Sequence, residues 1–436
     1  MQLKKSNKRF FLWMLPIALI GLLLLASSKK SKKKAVEIPS IVQKTDFEPL
    51  QILFKEKRFN KIKAKRDEAL TIGVLQTEDN DIVPAVINYD GEVYKADVRL
   101  KGDWTDHLEG DKWSFRIKLK NDRTILGMRK FSIHHPGTRG YLNEWLYHKA
   151  IKDEGIMGLR YGFLEGFLHV NLKELDAVLT KEVGLYAIEE TFDKRLIESN
   201  QRKVGVILKL TEDDMWKESA KINELAKATG TSAVNKYNPR YGKGNKMTIT
   251  AYGLKGIFED EALEKQFKLA KNLLNNYKSG QLPISQVFDV EITAKFTALA
   301  NLFGGVHGLT PHNLRFFYNP ISSMIEPIAF DNNSGVLLPE FRHYWKSSSD
   351  PVFIQALISA LEEVSGPEYL RNLTVKYQVE LDSLTTGLAI EFNDKPILSI
   401  DVLEKNQAVL RTTLKDLKNT VGKKKKNQAK LVDDFF

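Results

Sequence analysis

Residues 307–318 read HGLTPHNLRFFY, and residues 324–331 read MIEPIAFD. Each segment contains an apolar, aromatic-containing run of the kind found in strands. The five residues between them, NPISS, favour a turn. The pattern therefore predicts two antiparallel strands joined by a turn, which is a β-hairpin.

The open end of this predicted hairpin carries oxygen ligands. Pairing of Tyr318 with Met324 would return Asp331 to a position beside Asn313. A carboxylate and a carboxamide so placed suit Mg²⁺, which takes few protein oxygens and completes its coordination with water and phosphate. Alternatively, both side chains only make hydrogen bonds within turns, which is a common role of Asn and Asp.

The net charge of the chain is concentrated at its two ends. The 436 residues carry a formal charge of +11, and residues 1–34 contain nine basic residues and no acid. Residues 423–436 contribute a further +3, from five lysines and two aspartates. Subtracting both leaves −1 for the middle, so no broad basic face for nucleic acid is predicted.

There are no cysteines, which excludes disulfides, thiolate metal ligands and a cysteine nucleophile.

An apolar run of 17 residues extends from Phe10 to Ala26 and lies between two basic clusters. Its length is at the lower limit for a membrane span and exceeds that of a usual signal-peptide core. We predict an uncleaved single-pass signal anchor, with a cleaved signal peptide as the alternative. Basic residues on both sides leave the orientation open. We expect the main domain outside the cytoplasm, held at the membrane by this transmembrane helix.

The remaining patterns divide the chain into segments. These are the basic-flanked anchor (1–34), a stalk with short helices (35–79), a β-rich part (80–214), a helical part (215–420) that contains the hairpin loop (304–335), and a basic tail (421–436). Asp90-Gly91 is a strong signal for a two-residue hairpin turn, and residues 113–119 alternate as a half-buried strand does. After Asp213 the apolar spacing becomes helical, interrupted by a polar, turn-rich loop at 235–245. The sequence predicts an α+β fold.

Six short segments occur in a fixed order along the chain. They are RLKGDW (99–104), KWSFRIK (112–118), GLYAIEE (184–190), ILK (207–209), HNLRFFY (312–318) and IAFD (328–331). Together they resemble the motifs of the CotH family, kinase-like proteins first known from bacterial spore coats. The resemblance implies an atypical protein-kinase-like bilobal fold, with an antiparallel β-rich N-lobe and a mainly helical C-lobe behind the N-terminal transmembrane helix.

The resemblance also implies a kinase of the bacterial cell envelope that transfers a phosphoryl group from ATP, with Mg²⁺, to the hydroxyl of an unidentified protein. Such chemistry needs a lysine on the phosphates, an acid that holds the lysine, and metal ligands. By resemblance, Asn313 and Asp331 are the metal ligands. Glu190 acts on the phosphates together with Lys118 or Lys209.

Other assignments of the charged residues stay open at this point. A single lysine on a strand, such as Lys118, is more often simply exposed to solvent. Glu190 is alternatively a surface acid. Arg116 and Lys101 are further basic candidates that the sequence does not rank.

One position departs from the kinase pattern. The catalytic aspartate of that pattern lies five residues before the metal-binding asparagine, where this chain has Gly308. A glycine cannot accept the substrate proton, whereas a histidine titrates near neutral pH, so His307 is the candidate catalytic base. A displaced acid such as Asp289, or no catalysis at all, are the alternatives. The second acid of the family motif is replaced by Asn333.

This departure favours an alternative function, a catalytically degenerate scaffold or binding protein of the cell envelope.

Zinc and hydrolase chemistry have less support. His134 and His135 are adjacent and would point to opposite faces of a strand, and the chain has no HExxH motif. It also has no Gly-x-Ser-x-Gly motif.

Overall fold

The computed structural model describes residues 38–231, 244, 246–346 and 350–433, with side chains up to residue 423. The residues from Ile41 onward belong to one unit. No helix within these ranges is long and apolar enough to cross a membrane. The predicted anchor, nearly all of the predicted loop at 235–245, and most side chains of the basic tail lie outside the described residues.

Twelve β-strands occur in the described part of the chain. They are β1 (Pro49–Lys55), β2 (Val83–Tyr89), β3 (Glu92–Leu100), β4 (Phe115–Leu119), β5 (Lys130–His134), β6 (Met157–Gly158), β7 (Tyr161–Leu172), β8 (Ala177–Glu190), β9 (Ile207–Leu210), β10 (Ile249–Ala251), β11 (Arg315–Asn319) and β12 (Met324–Ala329). Seven strands close into a barrel in the order β1-β2-β3-β4-β5-β8-β7. The other five form a second sheet in the order β10-β9-β11-β12-β6.

The interior of the barrel follows from the two-residue period of its strands. Val98 on β3, Ile117 on β4 and Phe131 on β5 are fully buried. Alternate side chains of a strand point to the same face, so Arg99 and Arg116, next to these apolar residues in sequence, lie on the outer face. The predicted turn at Asp90-Gly91 is confirmed, because it joins β2 to β3 as a tight hairpin.

The predicted hairpin of β11 and β12 is also confirmed. Asn319 lies opposite Met324, one residue away from the predicted pairing of Tyr318 with Met324. The backbone N–H of Ile321 donates to the side-chain oxygen of Asn319 at 2.9 Å. This asparagine therefore both ends the strand and shapes the turn.

The helices follow the apolar spacing of the sequence. They are α1 (Glu56–Ile72), α2 (Leu142–Asp153), α3 (Lys194–Ser199), α4 (Asp213–Ala228), α5 (Leu254–Phe258), α6 (Glu261–Ser279), α7 (Val290–Leu302), α8 (Pro351–Val364), α9 (Pro367–Lys376), α10 (Gln378–Phe392) and α11 (Ile400–Asp433). Helix α7 packs against α8, α11 and β12. It is apolar on most of its surface, because neighbours cover it on several sides.

Residues 35–79, predicted to be a stalk with short helices, contain a strand before their helix. Leu50, Ile52 and Phe54 alternate along β1 and are buried in the barrel, and helical structure starts only at Glu56. Strand β1 pairs with β2 on one side and with β7, in parallel, on the other. This strand therefore closes the barrel.

The predicted fold class, a kinase-like bilobal fold with a β-rich N-lobe and a helical C-lobe behind a transmembrane helix, is wrong. Seven strands close into a barrel, because β1 fills the gap between β2 and β7. Strand β9, from the β-rich part, pairs with β11 of the predicted helical part. The two parts thus share a sheet, and no described helix can span a membrane.

A close approach of two backbone segments generates a stability prediction. Gly140 has a φ of +77°, and a Cβ there would overlap the carbonyl oxygen of Ser334. Gly91 has a similar φ of +69° but has open space around it. We expect Gly140→Ala to lower the free energy of unfolding by roughly 2–4 kcal/mol, and Gly91→Ala by about 1 kcal/mol. Urea unfolding of both variants measures the difference, and equal losses would contradict the overlap.

Candidate active site

A polar cleft with a volume of about 320 Å³ lies between the outer face of the barrel and the second sheet. The barrel side contributes Arg99, Lys101 and Arg116, and the opposite side contributes Arg315 and Asp331. Most of the lining side chains are charged or polar, so the cleft suits an ionic ligand. A second cavity, of about 380 Å³, lies beside α2, and none of the predicted site residues lines it.

The three predicted residues of the hairpin loop lie together in this cleft. The side-chain nitrogen of Asn313 is 2.9 Å from Nδ1 of His307. The same Nδ1 is 3.4 Å from Oδ1 of Asp331. Asn313 and Asp331 are buried, whereas 43% of the His307 side chain is exposed. The carboxamide and the carboxylate thus both contact the imidazole of His307 at the open end of the hairpin.

Arg139 is a residue of this cleft that no sequence signal identified. It lies in the turn after β5 and is buried, with Nη1 3.0 Å from Oδ1 of Asp331. Burial by itself would raise the pKa of Asp331, but the charges of Arg139 and His307 outweigh it and hold that pKa below its usual value. Asp331 is therefore a carboxylate at neutral pH.

The buried ion pair of the cleft joins Lys101 to Glu189. Nζ of Lys101 donates to Oε2 of Glu189 at 2.6 Å, and both side chains are almost completely buried. Burial by itself would raise the pKa of Glu189, but Lys101 and Arg139 outweigh it and lower that pKa to about 2. The sequence analysis had named Lys101 only as an unranked candidate.

Two of the three predicted phosphate-handling residues, Glu190 and Lys118, do not line the cleft. Glu190 is buried in an ion pair with Arg160 at the rim of the barrel, where Nε of Arg160 donates to it at 3.0 Å. Lys118 is exposed on the outer face of β4. Lys209 lines the cleft, half-buried, with Nζ 5.5 Å from the ring centre of Tyr252. None of the three pairs with another. Glu190 follows Glu189 directly along β8, so its side chain points to the opposite face of that strand from the carboxylate that holds Lys101.

The loop after β12 is held by a second buried acid, Glu144 of α2. Its carboxylate accepts hydrogen bonds from the backbone N–H groups of Asn332 and Ser334, each at 3.1 Å, and from the Ser334 hydroxyl at 2.8 Å. Burial raises the pKa of Glu144 to about 7, although these hydrogen bonds oppose the rise. The loop that carries Asp331 is therefore anchored directly behind that residue.

The position where the kinase pattern has its catalytic aspartate is crowded in this chain. A Cβ on Gly308 would lie 3.0 Å from both Oδ1 of Asn332 and the carbonyl oxygen of Phe330. The proposed displaced acid, Asp289, caps helix α7 by accepting from the N–H of Ile292 at 3.1 Å. It does not line the cleft. A base must therefore come from another side chain.

Asp103 is an acid of the cleft that the sequence analysis quoted in a motif but did not assign. It lies in the turn after β3 and lines the cleft, with its surface still open to solvent there. The surrounding protein, and then the charge of Glu212, raise the pKa of Asp103 above its usual value. A carboxyl group with a raised pKa in a cleft is suited to proton transfer, so Asp103 joins His307 as a candidate base.

No protein-family model and no curated protein matches this chain. The resemblance to the CotH family therefore stays a prediction from short motifs. In the described residues, no group of three or more His, Asp or Glu side chains is arranged to hold a metal ion.

The buried ion pair generates a test that separates Lys101 from Lys118. Lys101→Met leaves the carboxylate of Glu189 buried without its nearest cation, so we expect a loss of about 3–5 kcal/mol in the free energy of unfolding. Lys118→Met removes an exposed charge and should change that free energy by less than about 0.5 kcal/mol. Chemical denaturation measures both. Similar values for the two variants would contradict a buried ion pair between Lys101 and Glu189.

Glu144 generates a pH prediction. Its pKa in the folded protein, about 7, lies above the ordinary value of 4.5, so its contribution to stability is full below pH 4.5 and is lost as the pH rises through 7. Glu144→Gln should remove this dependence. We expect the wild type to lose about 2–3 kcal/mol between these pH values relative to the variant. Urea unfolding across this range measures it, and parallel profiles would contradict the assignment.

Proposed function

We propose that the cleft binds ATP with Mg²⁺ and transfers the terminal phosphoryl group to the hydroxyl of a protein, as the CotH resemblance implies. The observation that carries this proposal is the placement of Lys101, held by the buried carboxylate of Glu189, in the same cleft as Asp331 and Asn313. These are the types of residue that phosphoryl transfer needs, because its catalysis is mainly positioning and charge stabilisation.

The donor set of Asp331 and Asn313 fits Mg²⁺. One carboxylate and one amide oxygen are few ligands, but Mg²⁺ commonly takes the rest from water and from substrate phosphates. When bound, Mg²⁺ neutralises charge that develops on the transferred group. Arg139 keeps Asp331 ionised through its contact of 3.0 Å, so the carboxylate is ready to bind a cation without first losing a proton.

Lys101 is suited to hold a phosphate. Its ammonium group has three N–H donors, and Glu189 accepts only one of them, at 2.6 Å. The remaining donors are available to phosphate oxygens in the cleft. The ion pair with Glu189 keeps Nζ in place, so little conformational entropy is lost when a ligand binds.

Two side chains are candidates for accepting the proton of the attacking hydroxyl. His307 is partly exposed and contacts both proposed metal ligands. Asp103 lies on the barrel side of the cleft, and its pKa is raised above the usual value. Both satisfy the first requirement of a general base, which is access to a bound substrate.

The alternative is a degenerate binding protein that holds a nucleotide without transferring phosphate. Gly308 favours this alternative, because a glycine supplies no acid at that position and a side chain there would be crowded by Asn332 and Phe330. We also retain the proposal of a membrane anchor with the main domain outside the cytoplasm. In that location ATP is scarce, which adds weight to the alternative.

The proposal predicts that Asp331→Ala abolishes both Mg²⁺-dependent ATP binding and transfer of label from γ-labelled ATP. The full-length chain in detergent is the material for both measurements. Asp289→Asn is the matched control, because asparagine caps a helix as well as aspartate does and residue 289 does not line the cleft. The control should retain both properties.

Three outcomes separate the candidate functions. Binding that is lost in Asp331→Ala, together with label on the wild type, supports a kinase. The same loss of binding without any label on the wild type supports the degenerate binding protein. ATP binding that is unchanged in Asp331→Ala would reject both.

A further inference from the structure

Two arginines on the barrel wall of the cleft lie directly opposite each other. Arg99 on β3 pairs in register with Arg116 on β4. Both side chains are on the outer face of the barrel and line the cleft. Like charges at directly opposed positions of neighbouring strands are destabilising, so this arrangement requires a reason.

Neither arginine has a carboxylate at ion-pair distance among the residues that the structure describes. Arg99 donates from Nη1 to the hydroxyl of Thr77 at 2.9 Å and to the carbonyl of Leu100 at 3.2 Å. Nε of Arg116 is buried and has no hydrogen-bond acceptor. Burial and the charge of Arg116 lower the pKa of Arg99 to about 10, although the more distant charges of Asp103, Asp81 and Asp79 oppose the fall. The pair is therefore a concentration of positive charge without a direct ion-pair partner.

The fully buried cations of the cleft each have a carboxylate partner. Lys101 pairs with Glu189, Arg139 with Asp331, and Arg315 with Glu212. The protein thus supplies a carboxylate to each fully buried cation in this cleft. The opposed arginines are partly exposed in the cleft and have no such direct partner, so their guanidinium groups are accessible to an anionic ligand.

The cross-strand register places this pair close to the buried ion pair. Arg116 lies opposite Ser132 on β5, and Ser132 lies opposite Glu189 on β8. Neighbouring strands are about 4.8 Å apart, so the backbones of Arg116 and Glu189 are about 10 Å apart. A ligand with several linked anionic groups can therefore contact Lys101 and the arginines at the same time.

We infer that Arg99 and Arg116 form an anion subsite for a phosphate group of the polyphosphate chain of a nucleotide. Arginine suits this role because its planar guanidinium binds phosphate oxygens through two parallel hydrogen bonds. The identification of the ligand as a nucleotide rests on the proposed function. The anion subsite itself rests on the opposed, unpaired guanidinium groups.

Titration calorimetry with inorganic pyrophosphate and with ADP, in EDTA without Mg²⁺, tests the inference on the full-length chain. We expect Arg99→Gln and Arg116→Gln each to weaken pyrophosphate binding about tenfold, and the double variant to abolish it. Arg123→Gln is the matched control, because Arg123 is paired with Glu92 and does not line the cleft. The thermal midpoint should stay unchanged or rise in the double variant, since a like-charge contact is removed.

Asp331→Ala separates this inference from the proposed function. Metal-free pyrophosphate binding should persist in that variant, because the subsite uses neither Asp331 nor a metal. Binding of pyrophosphate but not of ADP supports the anion subsite and counts against a nucleotide as the ligand that supplies the phosphate groups. Equal pyrophosphate affinity in the wild type and the double arginine variant, or no pyrophosphate binding at all, would overturn the inference.

Discussion

Four buried charges of alternating sign connect the barrel to the second sheet. Lys101 pairs with Glu189 at 2.6 Å, and Arg139 lies between Glu189, at 4.0 Å, and Asp331, at 3.0 Å. A buried charge without a partner is strongly unfavourable, since its lost hydration is not replaced. The four residues come from separate parts of the chain, so their mutual neutralisation requires the strands and loops that carry them to adopt one arrangement.

This arrangement also preorganises the loop after β12. Glu144 accepts three hydrogen bonds from Asn332 and Ser334, and the backbone of Ser334 lies against Gly140. Asp331 is thereby held from both sides, by Arg139 in front and by this packing behind. Groups held by a supporting layer bind and act on ligands without first being ordered, which is a general requirement for an efficient site.

The cleft is electrostatically uneven as a result. Its fully buried cations form ion pairs with carboxylates, whereas Arg99 and Arg116 have no carboxylate at ion-pair distance among the described residues. An elongated anion would therefore meet ion-paired charge near Asp331 and arginines without a direct ion pair along the barrel wall. This gradient is compatible with a nucleotide whose phosphates extend along the outer face of β3 and β4. It applies equally to a kinase and to a degenerate nucleotide-binding protein.

Structure that depends on neighbours in the chain was predictable. The Asp90-Gly91 turn and the hairpin of β11 and β12, which brings Asn313 and Asp331 into the same cleft, follow from turn residues and side-chain alternation. Closure of the barrel was not, because β1 pairs with β7 across more than 100 residues. The motif match assigned Glu190, and a shift of one residue moves a strand side chain to the opposite face. Local backbone preference is encoded within a few residues, whereas the identity of the acid that reaches Lys101 depends on how distant strands pack.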